Sequence, residues 1–311
     1  MRRPDEACVT PAVDGGPPGR IDRTVLDQIS YAAVLGPVCL LEERLSIRSE
    51  DAGLACFLEA FLAAFPPAGS ARTQLDLVEV DGTWVAYADG ERTVSAPSVP
   101  ALARSLVWQL NRLALAAPTD DVLVHAAVAA IGDRAVVLPG RSGAGKTTLV
   151  AALALAGWTY LSDEVAALGP GGAIVRPYPR PLALEPGSWG LVPDAVDRWP
   201  AEVPSMVTDI RLVLPSSLGT ARPPRPAAPV AVVFPEVVAG ARTALEPLGR
   251  AAALERLLPL TFNLAALGAR GFDRLAGCVR GAWCGRLVLD GVGDAPETLS
   301  ALLATEFSPH L

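Results

Sequence analysis

Histidine is scarce in this chain, with two residues in 311. The five cysteines, Cys8, Cys39, Cys56, Cys278 and Cys284, include no C-x-x-C pair. A zinc site of the usual ligand types is therefore not expected. There is no long run of Lys and Arg, and the formal net charge is −7. That argues against nucleic acid or an anionic membrane as the main partner. The longest apolar runs, 122–131 and 149–158, fall well short of the roughly 20 residues that a membrane-crossing helix needs. The first twenty residues are polar and rich in Pro and Gly, without the apolar stretch of a secretory signal. Scattered cysteines in odd number suit a reducing compartment, so a cytoplasmic, soluble protein is expected. No internal repeat is visible.

What remains is a globular composition, 51% hydrophobic and 19% charged, with room for two domains. Residues 1–24 read as a disordered tail. A strand is expected over 38–48. Leu54, Phe57, Leu58, Phe61, Leu62 and Phe65 then form the apolar stripe of a helix that Pro66-Pro67 ends. Asp81-Gly82 and Asp89-Gly90 are hairpin signals and predict a three-stranded meander over 75–95. A helix over 100–116 closes a small α+β domain, 25–118, in which nothing suggests chemistry. The second domain, 119–311, opens with strands 122–131 and 134–138. A later strand is expected at 230–234, helices at 250–267, 271–281 and 296–304, and a last strand at 285–289. Residues 176–229 are Pro-rich and without periodicity. Such a stretch is often functional, and it is expected to form much of an acceptor site.

The densest signal lies at Gly140-Arg141-Ser142-Gly143-Ala144-Gly145-Lys146-Thr147, followed by Thr148. It fits G-x-x-x-x-G-K-[ST] at every fixed position, and it stands between a β-prone run and a strongly helix-forming one. Glycines let successive backbone N–H groups converge on phosphate oxygens. The helix N-terminus adds partial positive charge. Lys146 would reach the β- and γ-phosphates, and the Thr147 hydroxyl would ligate Mg²⁺. Binding of a nucleoside triphosphate, taken as ATP, with Mg²⁺ is the expectation.

Such a loop needs a carboxylate for the metal, and a transferase also needs a base. Asp163-Glu164 lies 17 residues past Lys146, an interval that fits one helix and one returning strand. The two acids should therefore end beside the loop, Asp163 with Thr147 as metal ligands and the pair dividing metal and base duties. Arg176, Arg180 and Arg211 are candidates for phosphate or acceptor contacts. His125, on an apolar strand, reads from spacing alone as a core residue.

Val124-His125-Ala126-Ala127-Val128, the 136–149 strand and loop, and Leu161-Ser162-Asp163-Glu164-Val165 together resemble the catalytic domain of the HPr serine kinase/phosphorylase family. They are especially similar to its stand-alone relatives from bacterial peptide-maturation clusters of the lasso-peptide type. The resemblance covers about 120–180 well, takes in Tyr178-Pro179-Arg180-Pro181-Leu182, and is looser beyond. It implies an α/β fold with a P-loop kinase core of the HPr-kinase type beside the small N-terminal α+β domain. It also implies transfer of phosphate from ATP, with Mg²⁺, to a hydroxyl, expected to be that of a serine, of a peptide or small protein; the alternatives are a small-molecule kinase using the same site and a nucleotide-binding regulatory module with little turnover. Lys146, Asp163, Glu164 and His125 would be the catalytic residues, and a homo-oligomer is compatible with it. The family's second acid is usually Asp where this chain has Glu164, and no Pro-Gly-Arg-Asn stretch is present. The resemblance therefore carries neither HPr itself as the acceptor nor phosphorolysis.

Overall fold

The computed structural model describes residues 19–219 and 224–306. The chain is mixed α/β and divides into two compact units. One holds the described residues up to Ala117 together with Ala201–Thr208. The other holds Pro118–Pro200 and the described residues from Asp209 onward. The segment Ala201–Thr208, expected in the second domain, thus belongs with the first. One reason is local: the Met206 methyl comes so close to Gly53 that an added Cβ would lie 3.3 Å away.

The first unit runs α1 (Arg23–Leu26), β1 (Ala33–Leu40), β2 (Glu43–Ser49), α2 (Ala52–Leu62), β3 (Thr73–Val80), β4 (Thr83–Ala88), β5 (Glu91–Ala96) and α3 (Val99–Ala116). Its five strands form one sheet in sequence order. β2 and β3 are parallel because α2 carries the chain back between them, and the other neighbours are antiparallel. The two Asp-Gly pairs turn the meander with all four residues at positive φ, as tight hairpins require. The single strand expected over 38–48 is instead the end of β1 and most of β2. Leu41 turns the chain at φ 58, a left-handed position where leucine gives no sequence signal. Of the expected tail, residues 1–18 lie outside the described residues. Residues 19–24 are not tail: Arg20 bridges Glu91, and Asp22 caps α1 by accepting from the Thr24 N–H at 2.9 Å.

The second unit runs β6 (Val122–Ile131), β7 (Arg134–Pro139), α4 (Lys146–Leu155), β8 (Thr159–Ser162), β9 (Val165–Leu168), β10 (Val175–Arg176), β11 (Leu182–Leu184), α5 (Pro193–Val196), β12 (Arg211–Val213), β13 (Ala228–Val237), β14 (Ala244–Pro247), α6 (Arg250–Leu257), α7 (Leu264–Leu267), α8 (Ala269–Gly281), β15 (Trp283–Leu289) and α9 (Ala295–Glu306). Its large sheet has the order β10-β9-β6-β7-β13-β15-β14, with β8 also on β6. β7, β13 and β15 are mutually parallel, and the rest of the sheet is antiparallel.

Both faces of this sheet are covered, and the strand sequences show why. Val136 and Leu138 of β7, with Ala231 and Val233 of β13, face one core with α4 and α9. Ala135 and Val137, with Val232 and Phe234, face another core with α6 and α8. Alternate residues are apolar on both sides, the pattern of a strand buried on both faces. On the second face α8 lies against the turn before β10. A Cβ on Gly172 would stand 2.2 Å from the Arg274 carbonyl oxygen, and one on Gly277 would stand 2.0 Å from that of Gly171. Only glycines allow that approach. The helix expected over 250–267 is broken after Leu257, where Pro259 follows, and resumes at Leu264. No helix among the described residues is long and apolar enough to cross a membrane.

Candidate active site

β7 delivers the glycine loop. At its first position a Cβ would come within 3.0 Å of the Ala144 Cβ and 3.5 Å of the Lys146 Cδ, so Gly140 leaves room for the lysine stem. Gly143 and Gly145 take φ 80 and 79, which L side chains rarely adopt. Gly145 is the N-cap of α4 and no side chain caps the helix. The first-turn N–H groups therefore keep their capacity for an anion, and the helix dipole adds to it. Arg141, Ser142 and Gly143 are exposed, while Lys146 and Thr148 are buried. Lys146 is the only lysine in the chain. Its ammonium donates to the Arg141 carbonyl oxygen at 2.9 Å, within the loop itself. Burial holds its pKa below the ordinary lysine value, against the opposing pull of Glu164 and Asp163. Thr148 shares a 2.8 Å hydrogen bond with Ser188.

The acids stand at an interruption along one edge of β6. β8 pairs with residues 128–130 of that strand and β9 with residues 122–125. Asp163-Glu164 crosses between them. Ser162 fixes the crossing, its Oγ accepting from the N–H groups of Glu164 at 3.1 Å and Val165 at 2.9 Å. Asp163 is fully buried, and both its oxygens are engaged. Oδ1 accepts from the Tyr160 hydroxyl at 3.0 Å and from Arg180 Nε at 2.9 Å. Oδ2 accepts from the Thr147 hydroxyl at 3.4 Å and from Arg180 Nη2 at 3.3 Å. The same Nη2 also donates to Glu164 Oε2 at 3.1 Å. The second glutamate oxygen, Oε1, faces His125 Nε2 at 4.0 Å, and the Glu164 side chain is 17% exposed.

His125 joins the two halves. Its carbonyl accepts from the Gly140 N–H at 3.3 Å, so the strand bearing it touches the start of the loop. Burial, helped by the nearby Lys146 charge, lowers its pKa, while Glu164 and Asp163 pull the other way. The net effect favours the neutral imidazole. It is not simply a core residue, for its side chain is 22% exposed.

The fold thus brings the loop, Lys146, Thr147, Asp163, Glu164 and His125 together. The three candidate arginines have other work. Arg180 is the buried partner of both acids. Arg176 pairs with Asp121. Arg211 lies 4.7 Å over the Trp189 ring. Tyr160 and Phe262 were not singled out by the sequence. The Phe262 ring centroid stands 5.6 Å from that of His125, at 44°. Neither has a local signature, because each reaches the site from an element distant in sequence or from a strand with no motif. Of the stretch 176–229, Arg180 and Ser188 touch the site residues, whereas Ala201–Thr208 belongs with the other unit and residues 220–223 lie outside those described.

Among the described residues no three His, Cys, Asp or Glu side chains group as a metal cage. That is compatible with Mg²⁺, which keeps its waters and takes one or two protein ligands plus phosphate oxygens rather than a full protein shell. A hydroxyl and a carboxylate 3.4 Å apart at a helix N-terminus are the donor set such a metal needs. No protein-family model matches the sequence, and no curated protein matches it either.

Proposed function

We propose that the second unit is an ATP- and Mg²⁺-dependent kinase, with a core of the HPr-kinase type, that phosphorylates a serine hydroxyl of a peptide or small protein. The observation that carries this is the convergence of a complete phosphate loop with two acids, Thr147 Oγ1 lying 3.4 Å from Asp163 Oδ2. A site built only to hold a nucleotide needs no second carboxylate and no imidazole beside it. The sequence resemblance, carried by the same residues, supports the same reading.

The division of labour follows from burial. Asp163 is enclosed and paired with Arg180, so with Thr147 it would hold Mg²⁺. When bound, the metal supplies neutralisation of charge on the phosphate oxygens. Lys146 leaves the Arg141 carbonyl and turns to the β- and γ-phosphates, where its charge is stronger for being in a dry site. Glu164 keeps one oxygen clear of Arg180 and reaches solvent, so it is the base. It takes the proton of the acceptor hydroxyl as the new O–P bond forms and the bond to the bridging oxygen of ADP breaks. Neutral His125, beside Oε1, accepts that proton from Glu164 and passes it to water. Arg180 fixes both carboxylates and positions rather than reacts.

The test uses the full chain, MgATP and serine-containing peptides, reading phosphoserine and ADP together. Lys146→Ala is expected to lower transfer by about 10³-fold or more. Because Lys146 is the only lysine, acylation of side-chain amines reports on it alone. MgATP should protect it. Wild-type turnover in the alanine variant, or acylation indifferent to MgATP, overturns the reading.

A further inference from the structure

Phe262 is 46% exposed, although its backbone is among the most tightly held at the site. Its N–H donates to the Leu123 carbonyl oxygen at 2.8 Å. The next residue, Asn263, accepts from the Leu123 N–H at 3.0 Å and donates to the Asp121 carbonyl oxygen at 2.8 Å. On the other side Thr261 forms a bridge with Val124, and its hydroxyl donates to the Leu257 carbonyl oxygen at 3.1 Å. The strand-like segment between α6 and α7 is thus bolted onto β6, which holds the Phe262 backbone in place. One part of its ring rests against His125 and the rest is open to water. Half-exposing an aromatic ring forgoes favourable burial. Its backbone partners would be kept by most side chains, so the fold does not call for phenylalanine there.

A rigid apolar surface next to a polar reacting pair is a preorganised contact for a chain that must bring a hydroxyl to that pair. Glu164, His125 and Phe262 form a row, each partly exposed, from the base outward. We infer that Phe262 determines acceptor specificity by packing against an apolar side chain next to the phosphorylated serine. This rests on the kinase reading above. The substrate class is narrowed to peptides in which the serine has an aliphatic or aromatic neighbour.

The experiment uses the full-length protein, MgATP and peptide mixtures with one central serine, fixing one flanking position at a time. At one position next to the serine, Leu, Ile, Met or Phe should be preferred over Asp or Lys by about tenfold, the worth of partial burial of one such side chain. Phe262→Leu should keep that preference and Phe262→Ala should flatten it, mainly through KM. Phe262→Lys should move it toward Asp and Glu. Protection of Lys146 from acylation by MgATP should be the same in all these variants, which shows that fold and nucleotide site survive. If the wild-type protein phosphorylates the mixtures with no apolar preference, the inference fails and the kinase reading stands. If Phe262→Ala slows all peptides equally, the ring only shields His125 and the inference fails again. If no peptide is phosphorylated while MgATP still protects Lys146, both the peptide acceptor and this inference are wrong.

Discussion

Each unit of this chain holds an arginine–aspartate pair beside a tyrosine with the aspartate enclosed, and the two are built from the same three residue types. In the first unit Arg48 pairs with Asp76, lies 4.6 Å over the Tyr31 ring, and spends a second nitrogen on Asp27 at 2.8 Å. In the second, Arg180 pairs with Asp163, to which the Tyr160 hydroxyl also donates. The surroundings differ. The Arg48 side chain is 19% exposed and its further partner is a surface aspartate. The Arg180 side chain is 6% exposed, and its further partner is Glu164, which faces His125. A buried ion pair is therefore no sign of chemistry by itself. Such pairs contribute little net stability but are costly to break. What sets the second pair apart is that a glycine loop, a lysine, a hydroxyl and an imidazole converge on it from β6, β7 and α4.

The largest expected contrast is in turnover. Glu164→Gln removes the proposed base and should lower phosphoryl transfer by about 10²–10⁴-fold, leaving MgATP protection of Lys146 intact. Asp163→Asn should depress transfer and also raise the Mg²⁺ concentration needed. The matching change in the first unit, Asp76→Asn, should leave turnover per folded molecule unaltered. Transfer that falls as far in Asp76→Asn as in Glu164→Gln would end the distinction between the two pairs.

Stability should give a smaller contrast in the same direction. Arg180→Ala strands a fully enclosed carboxylate and should cost about 3–5 kcal/mol in the second unit. Arg48→Ala also strands an enclosed carboxylate, Asp76, but the arginine it removes is 19% exposed, so water can enter the vacated space and the cost should be about 1.5–3 kcal/mol in the first. Hydrogen exchange resolves the loss by unit. Equal losses would mean that the enclosure of Arg180 has no energetic consequence.

The legible parts of this molecule are those set by local chemistry. The Asp-Gly turns force their hairpins, the stripe of α2 is plain, and the strand, glycine loop and helix of the candidate site are contiguous. The approach of Asp163-Glu164 to that loop also followed, because one helix and one strand can close only so far. Illegible parts depend on partners far along the chain. Arg180 reads as a surface or phosphate-binding charge until the β9–β10 turn folds it back onto residues 163 and 164. Asn263 binds the backbone of Leu123 across 140 positions, and nothing local announces it. The hairpin at Leu41 was hidden by a leucine in a glycine's conformation. β14 is four residues ending in proline, too short and too exposed to show a period.

The smallest predicted effect tests His125 and bears on both pairs, because the first unit has no histidine among its described residues. Burial and the Lys146 charge press the His125 pKa below its ordinary value, while Glu164 and Asp163 oppose them. Arg180 lowers it further. The unfolded chain takes up a proton at this ring near the ordinary histidine pKa of about 6.5, and the folded chain only at lower pH. Between those two values the unfolded state holds more protons, so stability must fall as pH falls. Above about 6.5 the ring is neutral in both states and contributes no slope. Wild-type protein should therefore lose stability from pH 6.5 downward more steeply than His125→Gln, and the two curves should run parallel from pH 7 to 8. Urea unfolding at a series of pH values reads the difference, and hydrogen exchange should locate it in the second unit alone. If the wild-type protein instead gains stability relative to the variant on acidification, the pull of Glu164 outweighs burial. The fold would then favour the charged form of His125, which counts against its proposed role as acceptor of a proton from Glu164.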